Sequence, residues 1–317
     1  MILDSIIPDL FECMDAKTIR VHAPSPVLFV CGGPYDITSD LPRSLRDAFL
    51  KGTNSGSLSR YTILIAEELN EAFYPRASYS DILKLEADMA QISASIILFL
   101  ESYGSAAELG AFAMVKEVSQ RLLVVTDDYY YNKNSFISLG PLRYLQREHG
   151  EPAVYVLNRK DIGISSLNDV SKIDINLFCR ELNSAITNRV KTLKDHSSFD
   201  STRPGHVIRL IVGLIQHYGA LTLDEIDTFL YVLNAPHPPK RIEELLLCAI
   251  FAEWLSSEKR GLHTYFTARA ENAAMSYRFK AGFATLDKLR WKADIMEYWK
   301  ENDSNRFNCI IAARRSG

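Results

Sequence analysis

Two glutamates, Glu101 and Glu108, flank a small-residue loop in the stretch Ile96-Ile97-Leu98-Phe99-Leu100-Glu101-Ser102-Tyr103-Gly104-Ser105-Ala106-Ala107-Glu108-Leu109-Gly110-Ala111-Phe112. An apolar run leads directly into Gly104 and its neighbouring serines, then into a helical pattern. That order places the loop at the carboxyl edge of a sheet, where open α/β folds bind ligands. The spacing predicts Glu101 at a strand end and Glu108 in the first turn of the next helix, where free N–H groups and the macrodipole hold a carboxylate as an anion. Such an anion can attack an anomeric carbon, or stabilise the oxocarbenium character that develops as an N-glycosidic bond breaks. Gly104, Ser105, Ala106 and Ala107 leave room for a sugar, and Ser102 and Ser105 can donate to its hydroxyls or to a phosphate. A first-turn acid and a glycine turn also serve simply to start a helix, so the motif alone leaves both readings open.

Two further segments reach the same edge. Cys31-Gly32-Gly33-Pro34 follows an earlier apolar run, and its glycines permit close backbone approach to a ligand. It lacks the fingerprints of dinucleotide-dehydrogenase and P-loop sites. Lys133 to Arg143 follows a later run; Asn134 or Ser135 is placed to touch substrate, and Tyr129-Tyr130-Tyr131 to stack on a base. The histidines show neither metal spacing nor a triad partner, and no metal site is expected.

The elements that must position these residues alternate short apolar runs with amphipathic stretches from Pro26 to about Lys194, the signature of crossover units on a parallel sheet. Strands are expected at 27–30, 61–65, 96–100, 122–125 and 153–157, apolar throughout because both faces are covered. Helices are expected at 41–51, 79–93, 106–120, 141–149 and 173–193. The fold class is therefore α/β, a Rossmann-like domain over 26–195 after an N-terminal extension, 1–25. Residues 196–205 are polar, end in Pro-Gly and read as a linker to a smaller, mainly helical domain over 206–317. There, helices are expected at 206–218, from Thr222, at 242–258 and at 285–301. A β-prone stretch, 262–268, lies between the last two. Three helices followed by a basic hairpin match the layout of a winged helix-turn-helix; a helical bundle used for protein contacts is the other reading.

That hairpin lies in a local excess of positive charge. From Lys259 to Lys292, eight bases meet two acids, although the whole chain carries a formal net charge of −3. Lys259, Arg260, Arg269, Arg278 and Lys280 are the candidates for contact with a polyanion. The 317 residues are 47% hydrophobic and 24% charged, which argues against disorder or a small disulfide scaffold. The longest apolar run is too short to cross a bilayer, and the start lacks secretory character. Five scattered cysteines without metal spacing point to reduced cytoplasmic thiols.

Taken together, Cys31-Gly32-Gly33, the 96–112 motif and Ser135-Phe136-Ile137-x-x-Gly140-Pro141 resemble the nucleoside deoxyribosyltransferase-like effectors of bacterial retrons, over roughly residues 26–160. The resemblance implies an N-glycosidase that cleaves NAD, with NAD as substrate and no cofactor. It implies that Glu108 stands where the family has its catalytic glutamate. Partners implied are the retron reverse transcriptase and its msDNA–RNA hybrid, which hold the toxic effector in check, and a homo-oligomer. The family places an aspartate just before the motif strand to hold the ribose. Here the approach is Ile92-Ser93-Ala94-Ser95, so that contact is absent or replaced, with Glu86 and Asp88 on the preceding helix as substitutes at hand. Two other functions fit the residues: glycosyl transfer or hydrolysis on nucleosides, nucleotides or DNA, and a non-catalytic nucleotide-sensing, DNA-binding module.

Overall fold

A computed structural model describes the chain except residues 1–6, 37, 54–56, 70–78, 80–81, 165–168, 192–195, 270–271, 284 and 317. Its strands, in chain order, are β1 (Met14–His22), β2 (Val27–Cys31), β3 (Thr62–Ile65), β4 (Ser95–Phe99), β5 (Leu122–Asp127), β6 (Val154–Leu157), β7 (His196–Ser198), β8 (Ala220–Leu221), β9 (Leu255–Arg260), β10 (His263–Ala268) and β11 (Met275–Phe279). Contacts divide the chain into two units, one formed by Pro26–Tyr74 and Met89–Lys194, the other by Met1–Ser25, Pro75–Asp88 and Asp195–Gly317.

The first unit is built on a five-stranded sheet in the order β3-β2-β4-β5-β6, with every pairing parallel. This arrangement is compatible with a Rossmann-like fold. Strands β2, β4 and β5 are buried along their whole length, the reason they read as unbroken apolar runs. On one side Phe49, Phe99, Phe178, Leu182 and Ile186 share a core with Val30, Ile97 and Val125. Helix Ile175–Lys191 also brings in a buried cation, Arg189, which donates to the carbonyls of Leu122 (3.0 Å), Ser119 (3.2 Å) and Gln120 (2.7 Å). The bonds to Ser119 and Gln120 satisfy carbonyls at a helix end, and the third reaches the first residue of β5. Burial holds the Arg189 guanidinium down to about 10.

The second unit holds two three-stranded sheets, β11-β1-β7 and β8-β10-β9. Helix Pro204–Tyr218 is its centre, buried at nearly every position. A side-chain carbon on Gly213 in this helix would lie 2.4 Å from Met275 Cγ, so the strand β11 can approach only a glycine. The first 25 residues are not an appendage of the parallel sheet. They supply β1, the middle strand of a sheet in this unit.

Two expectations need correction here. Residues 196–198, read as linker, pair antiparallel with β1, and Pro204-Gly205 already lies in a helix, with Pro204 at a first-turn position that needs no N–H donor. The helix expected at 242–258 is Pro239–Phe251. The chain then turns through Glu253 at φ 58° and enters β9, whose burial alternates residue by residue. Strands β9 and β10 form a hairpin closed by Gly261 and Leu262, with Gly261 at φ 60° and Leu262 almost fully exposed.

Helix Pro239–Phe251 carries a dense polar cluster. Arg241 grips Asp88 with both terminal nitrogens, at 2.6 and 2.9 Å. It also donates to Glu244, as does Lys84. The buried Tyr79 hydroxyl lies within 3.0 Å of the Asp88 carboxylate and the Glu244 carbonyl, and 2.9 Å from Cys248 Sγ.

Candidate active site

In the sheet order β3-β2-β4, three neighbouring strands end on one edge, and the segments that leave them converge. Gly32 and Gly33 follow β2, Glu67 follows β3, and Glu101 and Ser102 follow β4. A Cβ on Gly32, which has φ 136°, would fall 2.7 Å from Phe99 Cβ and the Phe99 carbonyl oxygen. A Cβ on Gly33 would fall 2.6 Å from Glu101 Oε1. The close approach these glycines permit is therefore taken up by the chain itself.

Glu101, expected as one of two carboxylates flanking a substrate loop, follows β4. Its carboxylate is instead spent on the fold: it accepts from the backbone N–H groups of Leu45 (2.8 Å) and Arg46 (3.1 Å), the first residues of helix Leu45–Gly52. A carboxylate from a distant strand thus caps this helix start, where N–H groups lack intrahelical partners. Burial raises its pKa; the N–H donors act in the opposite direction.

The serines are placed similarly. Ser102 Oγ accepts from Ser105 N (3.0 Å) while Ser105 Oγ accepts from the N–H groups of Ser102 (3.0 Å) and Glu101 (3.1 Å), a reciprocal cap at the start of helix Tyr103–Met114. Ser135 and Ser138 repeat the device one loop later, at 3.3 and 3.1 Å. Ser102, Ser105 and Ser135, expected as substrate contacts, each serve a helix start. Gly104 is exposed in the first turn, and a Cβ there would meet only Ser102 Oγ, at an ordinary 3.7 Å.

Because the cap is Ser102, the helix begins three residues earlier than its apolar pattern suggests, and Glu108 lies in the second turn. The macrodipole acts mainly on the first turn, so the expected stabilisation of the anion is not what governs this residue. Burial pushes the Glu108 carboxyl upward; Arg46 pulls it down, and Glu67 pushes it up. Glu108 Oε2 is buried and accepts no hydrogen bond among the described residues.

Arg46 and Glu67 escaped the sequence reading. Arg46 is fully buried and reaches Glu67 with both terminal nitrogens, Nη1 to Oε1 at 2.7 Å and Nη2 in contact with Oε2. Nη1 also donates to the carbonyl of Gly33 at 3.1 Å. Its Nε, like Glu108 Oε2, is buried and makes no hydrogen bond among the described residues. Glu67 had a usable signal, a carboxylate just past an apolar strand, the same placement that singled out Glu101. Asp88, held ready as a ribose ligand, is committed to Arg241, and Glu86 is buried in the same unit.

The tyrosines after β5 are engaged by cations. Tyr129 and Tyr130 meet edge to face at 5.2 Å; Lys133 Nζ lies 4.1 Å from the Tyr129 centroid, and the Arg159 guanidinium is about as far from both rings, at 5.4 and 5.5 Å. Arg159 also pairs with Asp127. Asn134 is exposed. The five basic candidates do not form one stripe. Lys259 and Arg260 lie on the β9–β10 hairpin, with Arg260 paired to Glu258 at 2.8 Å, and Arg269 follows β10. Arg278 and Lys280 lie on and after β11, in the other sheet, where Lys280 Nζ donates to the Phe11 carbonyl at 3.0 Å.

The family model described as STM3845 retron effector protein matches residues 42–257, more than half of the chain. The chain belongs to this retron effector family. The match contains Arg46, Glu67, Glu101, Glu108 and Ser135 and stops within β9. Two relatives from Escherichia coli, of retrons Ec73 and Ec86, are each provisionally named a ribosyltransferase/DNA-binding protein. The chain is 35% identical to the first over 91 residues, 28% of this chain and 29% of the relative. It is 31% identical to the second over 120 residues, 38% and 37% respectively. These matches span well under half the length of either relative. The resemblance to retron effectors read from the motifs thus holds at the level of the family. No described helix is long and apolar enough to cross a membrane.

Proposed function

We propose that this retron effector is an antiphage N-glycosidase whose first unit cleaves NAD to nicotinamide and ADP-ribose, with Glu108 as the nucleophile or ion-pair partner. The observation that carries this reading is Glu108 itself: a carboxylate following the strand at the carboxyl edge of the sheet, with one buried oxygen that no group among the described residues uses. A polar atom left without a partner in that setting is costly to the fold and is characteristic of functional sites.

In the reaction the bond between C1′ of the ribose and the pyridinium nitrogen breaks. Its electron pair leaves with nicotinamide as a neutral base, and positive charge develops across C1′ and the ring oxygen. The Glu108 carboxylate faces that charge and lowers the barrier electrostatically. A water oxygen then bonds to C1′ and releases its proton to solvent. Glu101 contributes indirectly, by capping the helix that carries Arg46, and Gly32 and Gly33 keep the backbone close enough for Arg46 to bond it.

The second unit, in this reading, is a winged-helix-like module that binds the msDNA–RNA hybrid and the reverse transcriptase through the hairpin carrying Lys259 and Arg260. Helix Pro239–Phe251, which would enter a groove in such a module, has Arg241 and Glu244 tied to Asp88 and Lys84, whereas Lys259 on the hairpin is exposed. The names of the two relatives, which join ribosyl transfer to DNA binding, support the pairing of activities.

Mass spectrometry of nicotinamide and ADP-ribose tests this, with the purified protein incubated with NAD alone and then with its reverse transcriptase and msDNA. Release that disappears in Glu108→Gln, with the variant folded, is the expected result. Turnover of deoxynucleosides in place of NAD would move the assignment to nucleoside chemistry. No product from any of these would leave the nucleotide-sensing reading.

A further inference from the structure

We propose that the tip of the β9–β10 hairpin is an apolar wedge: Leu262 enters the minor groove of a nucleic-acid duplex between two base steps, while the outer face of the hairpin holds the bordering phosphates. This extends the reading of the second unit as a nucleic-acid module, on which it rests, by naming the groove, the residues and the mode of contact.

The strand register sorts the hairpin into two faces. Cross-strand partners share a face, and the pairs are Arg260 with His263, Lys259 with Thr264, Glu258 with Tyr265, Ser257 with Phe266 and Ser256 with Thr267. Tyr265 and Thr267 are buried, so their face, with Ser256, Glu258 and Arg260, turns into the unit. Its polar groups are engaged there: the Tyr265 hydroxyl donates to Asp303 (3.2 Å), the Ser256 and Thr267 hydroxyls join at 2.9 Å, and Arg260 pairs with Glu258. The opposite face carries Ser257, Lys259 and Thr264, all exposed, and a half-buried Phe266. One cation and two hydroxyl donors, with no acid beside them on that face, suit phosphate oxygens.

Leu262 stands at the turn that joins these strands. Gly261, at φ 60°, lets the chain reverse in two residues, a place that ordinarily takes Gly, Asn, Asp or Ser. The second residue here is leucine, 95% exposed, with His263 exposed beside it. A side chain so placed covers almost nothing of the fold, and only a partner can take its apolar surface out of water. Charge selects the partner: from Lys259 to Lys292, eight bases meet two acids, which favours a polyanion. Apolar side chains combine with such a surface by entering the minor groove and prising apart a base step, where the unstacked base faces cover them.

The test uses the full chain with a DNA duplex and a DNA–RNA hybrid of one sequence, each carrying donor and acceptor dyes at its ends. Leu262→Ala is expected to weaken binding by about tenfold and to leave the slope of log affinity against log salt unchanged, because no phosphate contact is lost. Lys259→Ala is expected to flatten that slope. Energy transfer should rise when the parent binds, as a kinked duplex brings its ends together, and should rise less with Leu262→Ala. The melting temperature of Leu262→Ala should match the parent's, and Leu262→Phe, an equally apolar wedge, should restore affinity and kink.

Parent-like affinity and energy transfer in Leu262→Ala would overturn the wedge, and a flattened slope in Lys259→Ala would then leave the hairpin as a phosphate contact alone. A parent that binds neither duplex would sink the wedge together with the nucleic-acid reading. Duplex binding indifferent to Leu262, with capture of the reverse transcriptase lost in Leu262→Ala, would assign the tip to a protein surface and overturn the wedge as well.

Discussion

The methylene and carboxyl of Glu101 fill the space that a side chain on Gly33 would need, with the would-be Cβ of Gly33 only 2.6 Å from Glu101 Oε1. Residues far apart in sequence are thus matched in size, and the match has a function: it seats the Glu101 carboxylate against the start of helix Leu45–Gly52. Gly33→Ala is expected to destabilise the protein by about 1–3 kcal/mol, the usual range for overpacking. Denaturant melts of Gly33→Ala, Glu101→Ala and the double variant check this. Because the added methyl and the carboxylate occupy one space, the double variant should lose less than the sum of the singles.

Glu101→Ala alone should leave the N–H groups of Leu45 and Arg46 without their acceptor. A loss of about 1–3 kcal/mol is expected for stranding buried donors, and Glu101→Gln, which keeps an accepting oxygen, should lose less. Equal, negligible losses in both would show that water replaces the cap and that Glu101 is free for another role.

The pH dependence of stability follows from Glu108. Its carboxyl is raised in the folded chain, chiefly by burial, so the folded state favours the neutral acid. That contribution is complete below the unfolded-state value of about 4.3 and is lost as pH rises through the higher folded value. The Glu108→Gln variant has no such loss. Melting temperatures of the two proteins should agree in acid and diverge with rising pH, the variant becoming the more stable; divergence toward acid would contradict the sign.

Much of the sheet was legible because strands covered on both faces must be apolar throughout, and the runs at 27–30, 96–100 and 122–125 are. Helix starts were less legible. Tyr103-Gly104 has no helical pattern, and only the Ser102–Ser105 reciprocal cap shows that the helix includes it. The stop of helix Pro239–Phe251 was hidden because its left-handed residue is Glu253 and not a glycine. Glu108 could be chosen from local spacing and Glu67 carried a similar signal, but Arg46 could not: its pairing with Glu67 depends on the order β3-β2-β4, which no local pattern records.

Arg241 offers a test of the other unit. Its Asp88 partner has a side chain only 4% exposed, so Arg241→Met is expected to cost about 3–5 kcal/mol by leaving that carboxylate buried without its cation. A second substitution, Asp88→Asn, should recover part of the loss. Chemical denaturation of the two variants decides it; no recovery would mean that Glu244 and Lys84 carry the cluster.

Binding to a DNA–RNA hybrid, measured by fluorescence anisotropy across salt concentrations, tests the hairpin. Lys259→Ala should weaken binding and reduce the salt slope by about one. An unchanged slope would remove Lys259 from the interface.

Strand β1 lies between β7 and β11, which gives the chain an order of completion during its synthesis. The segments of the parallel sheet all emerge by Lys194, and their pairings can form while translation continues. Strand β1, made before any strand of the parallel sheet, must instead wait for Met275–Phe279 before its sheet can close. Contacts of such long sequence separation form slowly. A growing chain would therefore carry the segments around Glu108 well before the unit proposed to hold nucleic acid is finished, so any control of the first unit that runs through the second could act only once the chain is complete.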